Sequence, residues 1–206
     1  MSLNIKGKEY DFGCFCNSFT SLKDEFIPAY DLIYSEKKPN HISLIDHFIN
    51  LAVKHGINED QLRYDLDMMF LCDYVISGFD RHLNNFGILR DPETLRFKRL
   101  APVFDSGGAL FAGKELPTKK SGLLNIKVNS FVTKEAKMLP YIRNKSVLNI
   151  NKLPSSEWVR DLYSKDSQQS ERRINAVVKV YTQKITLLEE IQKGRDPYKK
   201  EPELSL

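Results

Sequence analysis

Three cysteines in 206 residues leave little sulfur for cross-linking. Cys14 and Cys16 lie two apart and Cys72 falls inside a helical pattern. No disulfide framework is expected, and the compartment reads as reducing and cytoplasmic. No stretch approaches the roughly 18 uninterrupted apolar residues of a membrane span. The richest run, Met68 to Phe79, is broken by Asp73. A basic-then-apolar layout is missing from the N-terminus, so neither a signal peptide nor a membrane partner is expected. Repeats and low-complexity tracts are absent too. With 41% hydrophobic and 28% charged residues, wholesale disorder is excluded and a single globular domain is expected.

The net charge of +4 hides an uneven distribution. Residues 1–113 are net −4, residues 114–145 net +6 and residues 146–206 net +2. A basic stretch after an acidic one can attract phosphates or an acidic partner, although by itself it is better explained as a solvated lysine-rich loop.

Residues 1–42 lack helical periodicity and read as short extended pieces and turns. Ser43 with Asp46 resembles a capping box, opening a helix through Leu44, Phe48, Leu51 and Ala52 to a stop at Gly56. Asn58 with Gln61 repeats that start, and the next helix runs through Leu62, Leu66, Met69 and Phe70 to Gly78. Residues 86–89 and 95–100, joined by Arg90-Asp91-Pro92-Glu93, read as a hairpin. Residues 106–133 are expected to form a long loop, with helices over 134–143, over 155–165, and from Ser170 to Gly194. The expected fold is mainly α with a small central β-hairpin (α+β). It divides into an N-terminal segment 1–42, a main domain 43–194 and a charged, mobile tail 195–206.

Three motifs fail on context. Gly108 to Lys114 matches seven positions of a phosphate-binding P-loop, but Glu115 stands where a magnesium-binding hydroxyl belongs, and Pro117 opposes the helix that should follow. Asp11-Phe12-Gly13 spells the kinase metal-binding tripeptide, yet it precedes the only plausible catalytic loop instead of following it. Cys14 and Cys16 with His41, His47 or His55 match no structural zinc spacing.

The informative segment is Gly78-Phe79-Asp80-Arg81-His82-Leu83-Asn84-Asn85, then the hairpin, then Ala101-Pro102-Val103-Phe104-Asp105-Ser106-Gly107. A polar loop after a helix presents Asp80, with Asn85 five positions later. The hairpin delivers Asp105 twenty positions beyond, next to glycines that permit a sharp turn. Phosphoryl transfer needs a carboxylate to take the proton of the attacking hydroxyl, and hard oxygen ligands to hold Mg²⁺ on the phosphates. Asn85 and Asp105 can supply such oxygens. Either aspartate alone is explained by a surface turn. The ordered set, with a hairpin to bring its ends together, is not.

This set resembles the C-terminal half of a HipA-like kinase, the bacterial serine/threonine kinase family of toxin–antitoxin modules. More distantly it is similar to phosphoinositide-type kinases. Phe26-Ile27-Pro28-Ala29-Tyr30-Asp31 and Leu100-Ala101-Pro102-Val103-Phe104-Asp105 carry the same likeness, over residues 24–115. The resemblance implies that Asp80 is the catalytic base and that Asn85 and Asp105 bind Mg²⁺ with ATP. His82 is then expected to orient Asp80 or the phosphates. Arg81 is left open between a phosphate and a neighbouring carboxylate.

A kinase N-terminal lobe takes something like 70 to 80 residues, with a glycine-rich loop and a strand lysine. Only 42 residues precede the helix at Ser43, with no such loop. The chain is therefore expected to be a kinase C-lobe with a hinge-like segment, its N-lobe missing or supplied by a partner. The leading reading is an ATP- and Mg²⁺-dependent kinase acting on a protein serine or threonine hydroxyl. The alternative is a non-catalytic kinase-like module that binds a protein partner such as an antitoxin, which would have no need of Asp80, Asn85 and Asp105. Nucleic acid is expected only indirectly, because aromatics do not interleave the lysine-rich stretch.

Overall fold

The computed structural model describes residues 3–5, 7–10 and 16–198. Asp11-Phe12-Gly13 and Cys14 lie outside these. Strands β1 (Leu3–Ile5) and β2 (Lys8–Tyr10) pair antiparallel as a separate ribbon. Strand β3 (Glu25–Pro28) runs directly into helix α1 (Ala29–Tyr34). Helices α2 (Leu44–Lys54) and α3 (Glu59–Ile76) follow, then the hairpin β4 (Gly87–Arg90) and β5 (Phe97–Leu100). A short helix α4 (Lys120–Leu123) interrupts the next long segment, and α5 (Ser156–Ser164) and α6 (Glu171–Gln192) complete the fold.

Local chemistry starts the main helices where the spacing predicts. The side chains of Ser43, Asn58, Ser155 and Ser170 each accept a hydrogen bond from the backbone N–H three residues on. Each such cap stabilises its helix by about 1 kcal/mol. The core lies between α2, α3 and α6, around Phe48, Leu62, Met69, Phe70 and Leu188.

The sheet corrects the expectation of a lone hairpin. It has three strands, ordered β3-β4-β5, with Phe26 opposite Leu89 and Pro28 opposite Gly87. A side chain at Gly87 would place Cβ 2.1 Å from the Ile27 carbonyl oxygen, so glycine is what lets β3 approach. The first 42 residues hold three short strands, as the expected extended pieces, and a helix, α1, that sequence periodicity missed because it is too short to show a period.

The helix expected over 134–143 is instead two 3-10 turns, Glu135–Lys137 and Leu139–Tyr141. Pro140 lacks the N–H that a continuous helix needs, and Glu135 is drawn inward to Lys184 of α6. Lys184 is fully buried, its ammonium 3.3 Å from the centre of the Tyr74 ring. Burial pushes the Glu135 carboxyl up and the Lys184 ammonium down, and each partner opposes the other's shift. The tail is not wholly free: Tyr198 donates a hydrogen bond from its hydroxyl to that of Tyr74 at 3.0 Å.

Asp91 shapes the hairpin turn, its Oδ1 accepting from the backbone N–H groups of Glu93 and Thr94, both at 3.0 Å. Its carboxyl is held below the usual carboxylate range, chiefly by the Thr94 N–H. That contribution is present above the ordinary aspartate pKa and lost as pH falls through the lowered one. Between about pH 6 and about pH 3, the melting temperature of Asp91→Asn is expected to fall less than that of wild type. Equal slopes in the two thermal series would contradict this.

Candidate active site

Helix α3 ends on Ser77, which takes a left-handed backbone (φ 50°), and not on the glycine beside it. Gly78 is needed for space: a Cβ there would lie 2.8 Å from Asp73 Oδ1. Asp73, the residue that interrupts the apolar run, is buried and paired with Arg81, each side chain 2% exposed. Arg81 Nε and Nη2 donate to the two Asp73 oxygens at 2.8 and 2.9 Å. Its Nη1 donates to the carbonyls of Asn85 (2.9 Å) and Phe104 (2.5 Å), and Nη2 also reaches Ser106 Oγ at 3.2 Å. Of the two partners left open for Arg81, the structure provides the carboxylate. One planar fork thereby ties the end of α3, the polar loop and the segment beyond β5, a geometry lysine cannot reproduce. Burial pushes the Asp73 carboxyl up, against the opposing pull of Arg81.

Around that clamp the polar loop closes on itself. Asn85 is buried and donates from Nδ2 to the Asp80 carbonyl at 2.9 Å, leaving its Oδ1 without a described partner. Asp80 is half-buried, its Oδ1 accepting from Asn129 Nδ2 at 2.9 Å. Asp105 is exposed, adopts φ 51°, and has no partner for its carboxylate among the described residues. Asp80 and Asp105 line one small cleft with Asp73, Arg81, Ser106 and Gly108, and Asn85 is not in its lining. His82 is not in that lining; its Nδ1 accepts from the Asn84 N–H at 3.3 Å. The loop is also tied to α1, because the N–H groups of Ala29 and Tyr30 donate to the carbonyls of Phe86 and Leu83, both at 2.9 Å. Those donors would otherwise be orphaned at the helix start.

Beside Asp105, the half-buried rings of Phe19, Phe26 and Phe104 pack together with centroids 5.1–5.7 Å apart. Lys114 sits 3.2 Å over the ring of Phe79, and its carbonyl accepts from Arg173 of α6. No α-helix begins at Lys114, which removes the P-loop match. His47 serves the fold, with Nε2 3.2 Å from the carbonyls of Ile33 and Glu36.

The donor set suits a hard cation. The Asp105 carboxylate lines the cleft and Asn85 Oδ1 lies outside its lining, both without a partner among the described residues, and Mg²⁺ commonly takes one or two protein oxygens while phosphates and water complete its shell. Among the described residues no group of three or more His, Cys, Asp or Glu could hold a metal unaided. At about 10 Å³ the cleft has room for about one water, far below the roughly 300 Å³ at which small-molecule sites begin. Sequence reasoning missed Asn129, for which no local signal exists. It noted Asp73 only as a break in an apolar run.

The arrangement defines a protein of kinase-like fold. The chain superposes on the crystal structure of a Helicobacter pylori proinflammatory kinase, CtkA, with a TM-score of 0.56, covering 86% of this chain and 74% of that one at 17% identity. In sequence it is 29% identical over 121 residues to the Helicobacter pylori serine/threonine-protein kinase CtkA. That match takes in 53% of this chain and 37% of the relative, little more than a third of its length. No family model matches. Among the described residues, no helix is long and apolar enough to cross a membrane.

Proposed function

We propose that the chain is the catalytic C-lobe portion, residues 43–194 with the hinge-like segment before it, of an ATP- and Mg²⁺-dependent serine/threonine protein kinase of HipA-like type, acting in the cytoplasm. The observation that carries this reading is the convergence of Asp80 and Asp105 on one cleft from either side of the hairpin. Asp80 is the general base: Oδ1 is occupied by Asn129, so Oδ2 takes the proton of the attacking hydroxyl. Asp105 and Asn85 Oδ1 would hold the metal, which would supply positive charge at the phosphates. His82 braces the loop through Asn84.

The substrate is read as an acidic protein segment bearing the target serine or threonine. Exposed Lys127 and Lys134 face each other across an isolated antiparallel bridge in the loop that reaches Asp80. Lys134 Nζ donates to Asn125 Oδ1 at 3.3 Å, and the positive charge of the two lysines would attract an acidic segment. Nucleic acid would enter only as part of a bound substrate.

The small size of the cleft favours a second reading, in which the lobe is a non-catalytic surface for a protein partner such as an antitoxin. Phosphate transfer from radiolabelled ATP to an acidic acceptor protein separates the two, measured with and without an added kinase N-lobe. Asp80→Ala is expected to lower the rate by on the order of 10²- to 10⁴-fold. Equal transfer by wild type and variant would sink the catalytic reading. No transfer by either, even with the added lobe, would support the partner-binding one.

A further inference from the structure

The loop that approaches the base also controls its orientation, an inference that rests on the kinase reading above. Residues 126–135 fold back on themselves. The Lys127–Lys134 bridge, the Val128 N–H to Thr133 carbonyl bond (3.3 Å) and the Glu135 N–H to Ile126 carbonyl bond (3.1 Å) close the neck. Glu135 is in turn fixed in the core by Lys184. The loop is thus anchored from α6, and it delivers Asn129 to the polar loop by two contacts. The backbone N–H of Asn129 donates to the Phe79 carbonyl at 2.6 Å, and its Nδ2 donates to Asp80 Oδ1 at 2.9 Å.

An aspartate carboxyl turns freely about its last torsion unless something holds it. Among the described residues, Asn129 is the sole group bonded to the Asp80 carboxylate. Only the amide nitrogen can face those oxygens favourably, which fixes the orientation of the Asn129 side chain. The backbone contact holds Asn129 in place beforehand, so little freedom is lost when its side chain grips Asp80. We propose that Asn129 is the positioning residue of the base: it holds Oδ1 and leaves Oδ2 turned toward the incoming hydroxyl.

The test uses the full chain with an added kinase N-lobe, Mg²⁺, ATP and casein as acceptor, following ADP release. Asn129→Asp keeps the shape but loses the donor. It is expected to lower kcat by on the order of 100-fold, with KM for ATP within about twofold of wild type. Asn129→Gln, which restores a carboxamide, is expected to recover part of the loss, and all variants should melt with wild type. Wild-type turnover by Asn129→Asp alongside a dead Asp80→Ala would overturn this inference and leave the kinase reading standing. An active Asp80→Ala would overturn both. A readout independent of turnover is the Asn129 side-chain amide resonance, expected to shift and lose exchange protection in Asp80→Ala. A resonance that stays put would overturn the positioning role whatever the rates.

Discussion

Replacing Asp105 by alanine is expected to abolish the magnesium dependence of ATP binding, as read by calorimetric titration with and without Mg²⁺. The Asp105 side chain is exposed and bonds to no described group, so its loss removes little from the fold. Its backbone is left-handed at φ 51°, a conformation that aspartate and asparagine tolerate better than most residues. A non-glycine residue held in this region at the mouth of a cleft is the kind of strain that a functional site retains. Asp105→Asn is therefore the sharper control, since it keeps the backbone preference and removes only the charge. In both variants ATP affinity should no longer rise when Mg²⁺ is added. If Asp105→Ala retained the full dependence, Asp105 would not be a ligand, and the metal end of the proposed site would have to be rebuilt on other residues.

Arg81→Met is expected to destabilise the protein by about 3–5 kcal/mol, measured by urea unfolding, because it strands the Asp73 carboxylate in the core. Neutralising both ends in the Asp73→Asn/Arg81→Gln double variant should recover much of that loss, since no buried charge is then left unpaired. Function should not return with stability. Arg81 also holds the carbonyls of Asn85 and Phe104 and the hydroxyl of Ser106, so a neutral replacement leaves the polar loop and the segment around Asp105 unbraced. A single variant within about 1 kcal/mol of wild type would show that the pair is not the brace described.

The same residues show how far the sequence could be read. Helix starts at Ser43, Asn58, Ser155 and Ser170 were legible because each cap bonds within three residues of itself. The β4–β5 hairpin was legible through the Asp91 turn, which is closed by its own neighbours. Asp80 and Asn85 share one loop, so their spacing alone suggested a joint role. The kinase-like fold follows from structural similarity. The expected helix over 134–143 failed because Pro140 and a buried ion pair to α6 outweighed its apolar pattern.

By itself, the sequence determined whatever is closed by contacts a few residues apart: the capped helices, the hairpin and the spacing of the candidate motif. Tertiary structure alone decided that β3 joins the sheet, with Glu25 and Arg90 paired across 65 residues. It also decided that Arg81 takes Asp73, that Lys184 and Glu135 meet in the core, and that Asn129 reaches Asp80 across 49 residues. The physical reason is one of chain closure. A contact between neighbours costs little entropy and leaves a mark in the local residue order. A distant contact forms only when the whole core brings both ends together, and neither end carries a sign of the other.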